Sequence, residues 1–166
     1  MPYPLAELNQ LDQPAFVTAL GSIFEDTPQI AAQVWHQRPF ANTADLHQKM
    51  IEQVDRMSSA EKLQLIQAHP DLGSRTKMAE ASVREQTEVG LDRLPPALYD
   101  RFHHLNQAYR QQFGFPFIIA VKNHTIDSIL TAFETRLQHN LEAEMSQALA
   151  EIAQIAAFRL QDRVED

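Results

Sequence analysis

Apolar residues recur at spacings of three and four along almost the whole chain, and only four glycines interrupt them. That spacing follows the 3.6-residue turn of a helix with one apolar face, and it does not fit the strict alternation of half-buried strands. It predicts an all-α fold, a single-domain bundle of about eight helices. At 166 residues the chain is long enough to bury a sizeable core, and no repeat, low-complexity tract or linker divides it.

Capping and breaking residues set the expected boundaries. Asp12 with Pro14 starts a first helix that buries Phe16, Leu20, Ile23 and Phe24, and Thr27-Pro28 opens a second through Ile30, Ala31, Val34 and Trp35. Thr43 caps a third through Leu46, Met50, Val54 and Met57. Ser58-Ser59-Ala60-Glu61 is a capping box for a fourth, which Pro70 stops. A fifth helix opens at Ser82 and closes at Gly90, and a sixth runs from Pro95-Pro96 to Gly114. The seventh starts at Thr125 and carries Ile129, Phe133 and Leu137; the eighth runs from Leu141 almost to the end. One stretch breaks the helical period and reads as a short extended segment near 115–121.

Composition narrows the function. A net charge of −8 argues against nucleic acid and against anionic membrane surfaces, so an anionic ligand needs a local positive pocket. No cysteine is present, which removes disulfides, thiolate nucleophiles and sulfur-ligated metals. Met1-Pro2-Tyr3-Pro4 opens no signal-like segment and no run approaches membrane-spanning length, so a cytoplasmic protein is expected. The seven histidines do not form a ligand set: His103 and His104 are adjacent and project about 100° apart on a helix. No metal site is expected from His36, His47, His124 or His139 either.

Four features remain that bear on chemistry. In Ala68-His69-Pro70-Asp71-Leu72-Gly73 the proline forces the helix to end, which leaves an imidazole exposed and turned toward a loop. His69 there serves either as a cation on the helix dipole or as an acid/base group. Ser82, Val83, Arg84, Glu85 and Gln86 follow, with Ser82 and Glu85 spaced as N-cap and N3. They form a capping box, or a polar set beside a helix N-terminus that also receives an anion. The segment containing Phe117, Ile118, Ile119, Ala120 and Val121 is core, or a wall whose backbone groups meet a ligand. Arg159 continues the apolar stripe Met145, Leu149, Ile152 and Ala156, so it snorkels, pairs with a carboxylate, or faces a ligand.

Taken in order, His69-Pro70-Asp71-Leu72-Gly73, Ser82-x-x-Glu85-Gln86 with Gly90-Leu91, 113–119, Arg136-Leu137-x-x-Asn140 and Phe158-Arg159-Leu160 resemble the 2-oxo-4-hydroxy-4-carboxy-5-ureidoimidazoline (OHCU) decarboxylase family. The resemblance covers nearly the whole chain. It implies an all-helical fold and cofactor-free decarboxylation of a small molecule to (S)-allantoin in urate catabolism. It also implies that His69 is the catalytic acid with Glu85 beside it. Pro70, Ser82 to Gln86, the backbone of Phe117 to Val121, and Arg159 then surround the substrate, in a chain that forms a homodimer. One departure is a shorter loop between Gly73 and Ser82. Two other classes compete: a hydrolase that uses His69 and Glu85 to activate water on a related ureido ring, and a noncatalytic helical module that binds a partner.

Overall fold

Residues 1–74 and 78–166 are described by the computed structural model, so the shorter loop between Gly73 and Ser82 lies partly outside the described residues. The described residues form nine α-helices and one parallel pair of two-residue strands, and the chain divides into two units. The all-α expectation is met.

The first unit combines residues 1–68 with 153–166. It holds β1 (Tyr3–Pro4), α1 (Leu5–Leu8), α2 (Gln13–Leu20), α3 (Gln29–Val34), α4 (Thr43–Asp55), α5 (Ser59–Gln67) and, at the chain end, β2 (Val164–Glu165). Phe16, Leu20, Ile30, Leu46 and Met50 are fully buried there, each contributing about 1.5–3 kcal/mol by leaving water. Asp12 caps α2 by accepting from the Ala15 N–H at 2.9 Å, and Ser58 and Glu61 exchange the two bonds of a capping box on α5. At α4 the cap is Asn42 rather than Thr43: extended Asn42 accepts from the Asp45 N–H at 2.8 Å. Thr43 becomes the first helical residue and gives its own N–H to the Asp166 carboxylate at 2.6 Å. The pairing of Tyr3 with Val164 and of Pro4 with Glu165 was not legible, because two residues carry no period.

The second unit covers residues 69–152 and holds α6 (Glu80–Glu88), α7 (Pro96–Phe113), α8 (Ile126–Arg136) and the first part of α9 (Leu141–Arg163), whose end lies in the first unit. Gly114, at φ 81°, ends α7 in the left-handed region. The chain then runs without helix through 115–120, all buried. Val121 departs from the extended reading. It opens a 3-10 turn, Val121–Asn123, closed by bonds from the Asn123 N–H to Ala120 O and the His124 N–H to Val121 O. Around this segment Phe117 stacks on Phe133 with centroids 3.7 Å apart, and Tyr109 meets Phe117 edge-on at 5.3 Å.

Helix α6 starts earlier than the sequence suggests. Its N-cap is Ala79, with no side-chain cap, so Ser82 is the third helical residue and Glu85 lies a turn inside. The capping-box reading of this pair is therefore incorrect. Burial of the Ser82 face decides the start, aided by Glu80 in the first turn where a carboxylate suits the helix dipole.

Candidate functional site

Helix α5 ends at Gln67 with Ala68 as C-cap, and His69 is the first residue beyond. Its position at a helix stop is as expected, but its side chain is buried at 6% exposure rather than exposed. The loop that follows is held from two helices. Gln86 on α6 accepts from the Gly73 N–H at 3.0 Å and reaches Asp71 O at 3.5 Å, while Asn106 on α7 donates to Leu72 O at 2.9 Å. Arg110 adds an ion pair to Asp71 at 2.8 Å. Gly73 sits at φ 67°, and a Cβ there would lie 2.9 Å from Leu94 Cδ1, so the turn requires glycine on both counts. Pro70 and the imidazole are thus carried on a loop with little freedom.

Helix α6 presents its polar residues unequally. Ser82 and Gln86, four apart, share the buried face, Glu85 is half-buried, and Val83 and Arg84 are exposed. Neither Ser82 nor Glu85 caps the helix. Both ends of the Gln86 amide hold the 71–73 loop. α6 packs against the 3-10 turn Val121–Asn123. One unit therefore joins the His69 loop, the Ser82 to Gln86 set and the Phe117 to Val121 segment.

That segment has an unusual backbone. Phe117, Ile118, Ile119 and Ala120 are buried, yet the N–H groups of Ile118, Ile119 and Ala120 find no acceptor among the described residues. Buried donors left so are costly, at about 1–3 kcal/mol each, and they suit a ligand that brings oxygen atoms. The opposite edge is secured. Arg136 Nη1 donates to Ile118 O at 2.6 Å, its Nε pairs with Glu144 at 2.8 Å, and its guanidinium lies 4.2 Å over the Phe117 ring. Tyr109 OH donates to the same Glu144 oxygen at 2.6 Å, and His139 Nδ1 lies 2.9 Å from the other. Burial, with the Glu144 bond second, pushes the Tyr109 phenol above its ordinary range. Asn106, Arg136 and Glu144 carry no role legible in the sequence, where Arg136 enters only within a motif. The first two interrupt apolar stripes, Phe102-Asn106-Tyr109 and Ile129-Phe133-Arg136, in the way that singled out Arg159.

Arg159 belongs to the first unit and is buried on the stripe of α9. Its Nη2 meets Glu25 Oε2 at 3.3 Å and its Nη1 lies 3.3 Å from Ile23 O and 3.4 Å from Ser22 O. Of the readings open to it, pairing with a carboxylate is realised and snorkelling is not. No group of three His, Asp or Glu side chains that could hold a metal occurs among the described residues. Nor is any described helix long and apolar enough to cross a membrane.

Comparison with known proteins settles the family. The sequence model for OHCU decarboxylase matches residues 9–161. The chain belongs to the OHCU decarboxylase family. A 2-oxo-4-hydroxy-4-carboxy-5-ureidoimidazoline decarboxylase of Halalkalicoccus jeotgali is 45% identical over 156 residues, which are 94% of this chain and 89% of the relative. The uric acid degradation bifunctional protein PucL of Bacillus subtilis is 42% identical over 164 residues, 99% of this chain but 33% of its own. Among solved structures, an (S)-allantoin synthase superposes with a TM-score of 0.80 at 30% identity, over 98% of this chain and 54% of the other.

Proposed function

We propose that this OHCU decarboxylase family member is a carboxy-lyase that converts 2-oxo-4-hydroxy-4-carboxy-5-ureidoimidazoline to (S)-allantoin in urate breakdown. The carrying observation is the row of buried N–H groups at Ile118, Ile119 and Ala120 without acceptors among the described residues, in the same unit as a loop-held histidine. Cleavage of the bond to the carboxylate releases carbon dioxide and sends the electron pair into the conjugated ring. Negative charge then develops on ring heteroatoms, and fixed N–H donors in a dry site stabilise it by several kcal/mol. His69, as imidazolium, delivers a proton to the ring carbon that bears the ureido group, and delivery from one face sets the configuration. Pro70 and the bonds from Gln86 and Asn106 hold that face in place. Ser82 and half-buried Glu85 orient the substrate or tune His69. Arg159, in the first unit, is paired with Glu25. No step calls on a cofactor. The same reading carries with it a cytoplasmic homodimer acting on a small molecule.

His69→Asn tests the assignment. With substrate generated in situ from urate, the variant keeps its helical circular dichroism, while the dichroic signal of enantiopure allantoin and enzymatic carbon dioxide release disappear. A folded variant that turns over near the parental rate removes His69 from the reaction. Consumption of substrate by the parent without carbon dioxide release transfers the site to hydrolysis.

A further inference from the structure

We propose that Arg136 is a positioning residue that aims and polarises the Ile119 N–H, working through the Ile118 carbonyl. The inference rests on the reading of the Phe117 to Val121 backbone as a donor to substrate. The Ile118 C=O and the Ile119 N–H belong to one planar trans peptide, so they point in opposite directions. Arg136 Nη1 grips that oxygen at 2.6 Å, which fixes the N–H on the side away from the guanidinium, where no acceptor among the described residues meets it. A bond from a charged donor to the carbonyl also pulls electron density toward the oxygen and strengthens the N–H as a donor at the other end of the same unit.

The guanidinium itself has little freedom. Glu144 holds Nε at 2.8 Å, and the Phe117 ring, itself stacked on Phe133, lies 4.2 Å beneath Cζ. These contacts use a planar fork in separate directions, which an ammonium cannot reproduce. Stability alone is a poor account of the arrangement. Arg136 is 5% exposed and its Nη2 has no hydrogen-bond partner, and a buried ion pair is often replaceable by uncharged groups without loss of stability. What the guanidinium supplies is a direction for one peptide.

Arg136→Met combined with Glu144→Gln removes both charges together and leaves an amide oxygen to accept from Tyr109 and an amide N–H facing His139 Nδ1. The folded double variant is expected to lose about 10- to 100-fold in kcat with KM nearly unchanged, since an aimed donor acts on charge that develops in the transition state. Arg136→Lys is expected not to rescue kcat. Assays well below the melting temperature separate this from simple destabilisation, which leaves kcat per folded molecule intact. A folded double variant, or Arg136→Lys should the double variant not fold, with kcat within about threefold of the parent overturns the proposal. Ile119→Pro deletes the N–H at a position where it bonds no group among the described residues. If Ile119→Pro keeps the parental kcat, the donor reading itself falls and takes this inference with it. If it loses kcat while the Arg136 variants do not, only the role of Arg136 falls.

Discussion

A buried guanidinium is tolerable only beside an anion, and the identity of that anion changes what a substitution does. Arg159 on the apolar stripe of α9 was legible from spacing alone, but its partner was not, because Glu25 lies more than 130 residues away in sequence. Without Glu25, replacing Arg159 by methionine would simply remove a buried charge. With Glu25 at 2% exposure, Arg159→Met removes the cation paired with a carboxylate in the core. The expected loss is about 3–5 kcal/mol in urea unfolding, and Arg159→Met/Glu25→Leu regains most of it. A single variant as stable as the parent would show that Glu25 does not depend on Arg159 for its place in the core. Gly73 makes the same point in reverse. The sequence marks it as a turn residue, yet only the structure supplies Leu94 as the second reason that no side chain fits.

At the scale of elements, local patterns placed most helices and failed where burial overruled them. Ser-x-x-Glu occurs at 58–61 and again at 82–85, with the same capping chemistry available in both. At the first it is a capping box; at the second the helix has already begun and the serine turns inward. Nothing within those four residues distinguishes the two cases, since the decision lies with what packs against the helix. The polar residues of α7 and α8 were within reach, because Asn106 and Arg136 interrupt apolar stripes just as Arg159 does. Their partners define a cluster with a measurable signature. The Tyr109 phenol, its ordinary pKa near 10.0, is held protonated to higher pH in the folded state. A raised folded pKa leaves stability intact below the unfolded value and erodes it as pH climbs from there toward the folded value, because the unfolded chain sheds the proton first. Urea midpoints measured from about pH 9 to 11.5 should therefore fall more steeply for the parent than for Tyr109→Phe. Equal slopes would mean that Tyr109 ionises as freely in the fold as outside it. At neutral pH the variant should still be less stable, by about 1.5–3 kcal/mol, having lost a buried bond to a charged acceptor.

For the whole molecule the question is whether two units make two folding transitions. The first unit is discontinuous: the chain leaves it after Ala68 and re-enters it at Ala153. Re-entry happens in the middle of α9, a single helix from Leu141 to Arg163. Melting the second unit alone would cut that helix near Ile152 and create a new N-terminus whose first N–H groups have no carbonyl partners. It would also leave the remaining turns, which carry Arg159 and lead into β2, to hold their helix from a short stub, and short helices are marginal alone. Continuity of α9 thus couples the units, and we propose that the chain folds as one domain. Trp35 makes this testable, because it is the single tryptophan and sits in the first unit, its indole N–H bonded to Leu11 O at 2.9 Å. Its fluorescence follows the first unit, whereas far-ultraviolet circular dichroism sums helices from both. In equilibrium urea unfolding the two signals are expected to superimpose, with one midpoint and one slope. Separate midpoints, with tryptophan emission changing before or after the loss of ellipticity, would show that α9 breaks at the boundary and that the units are independent folding domains.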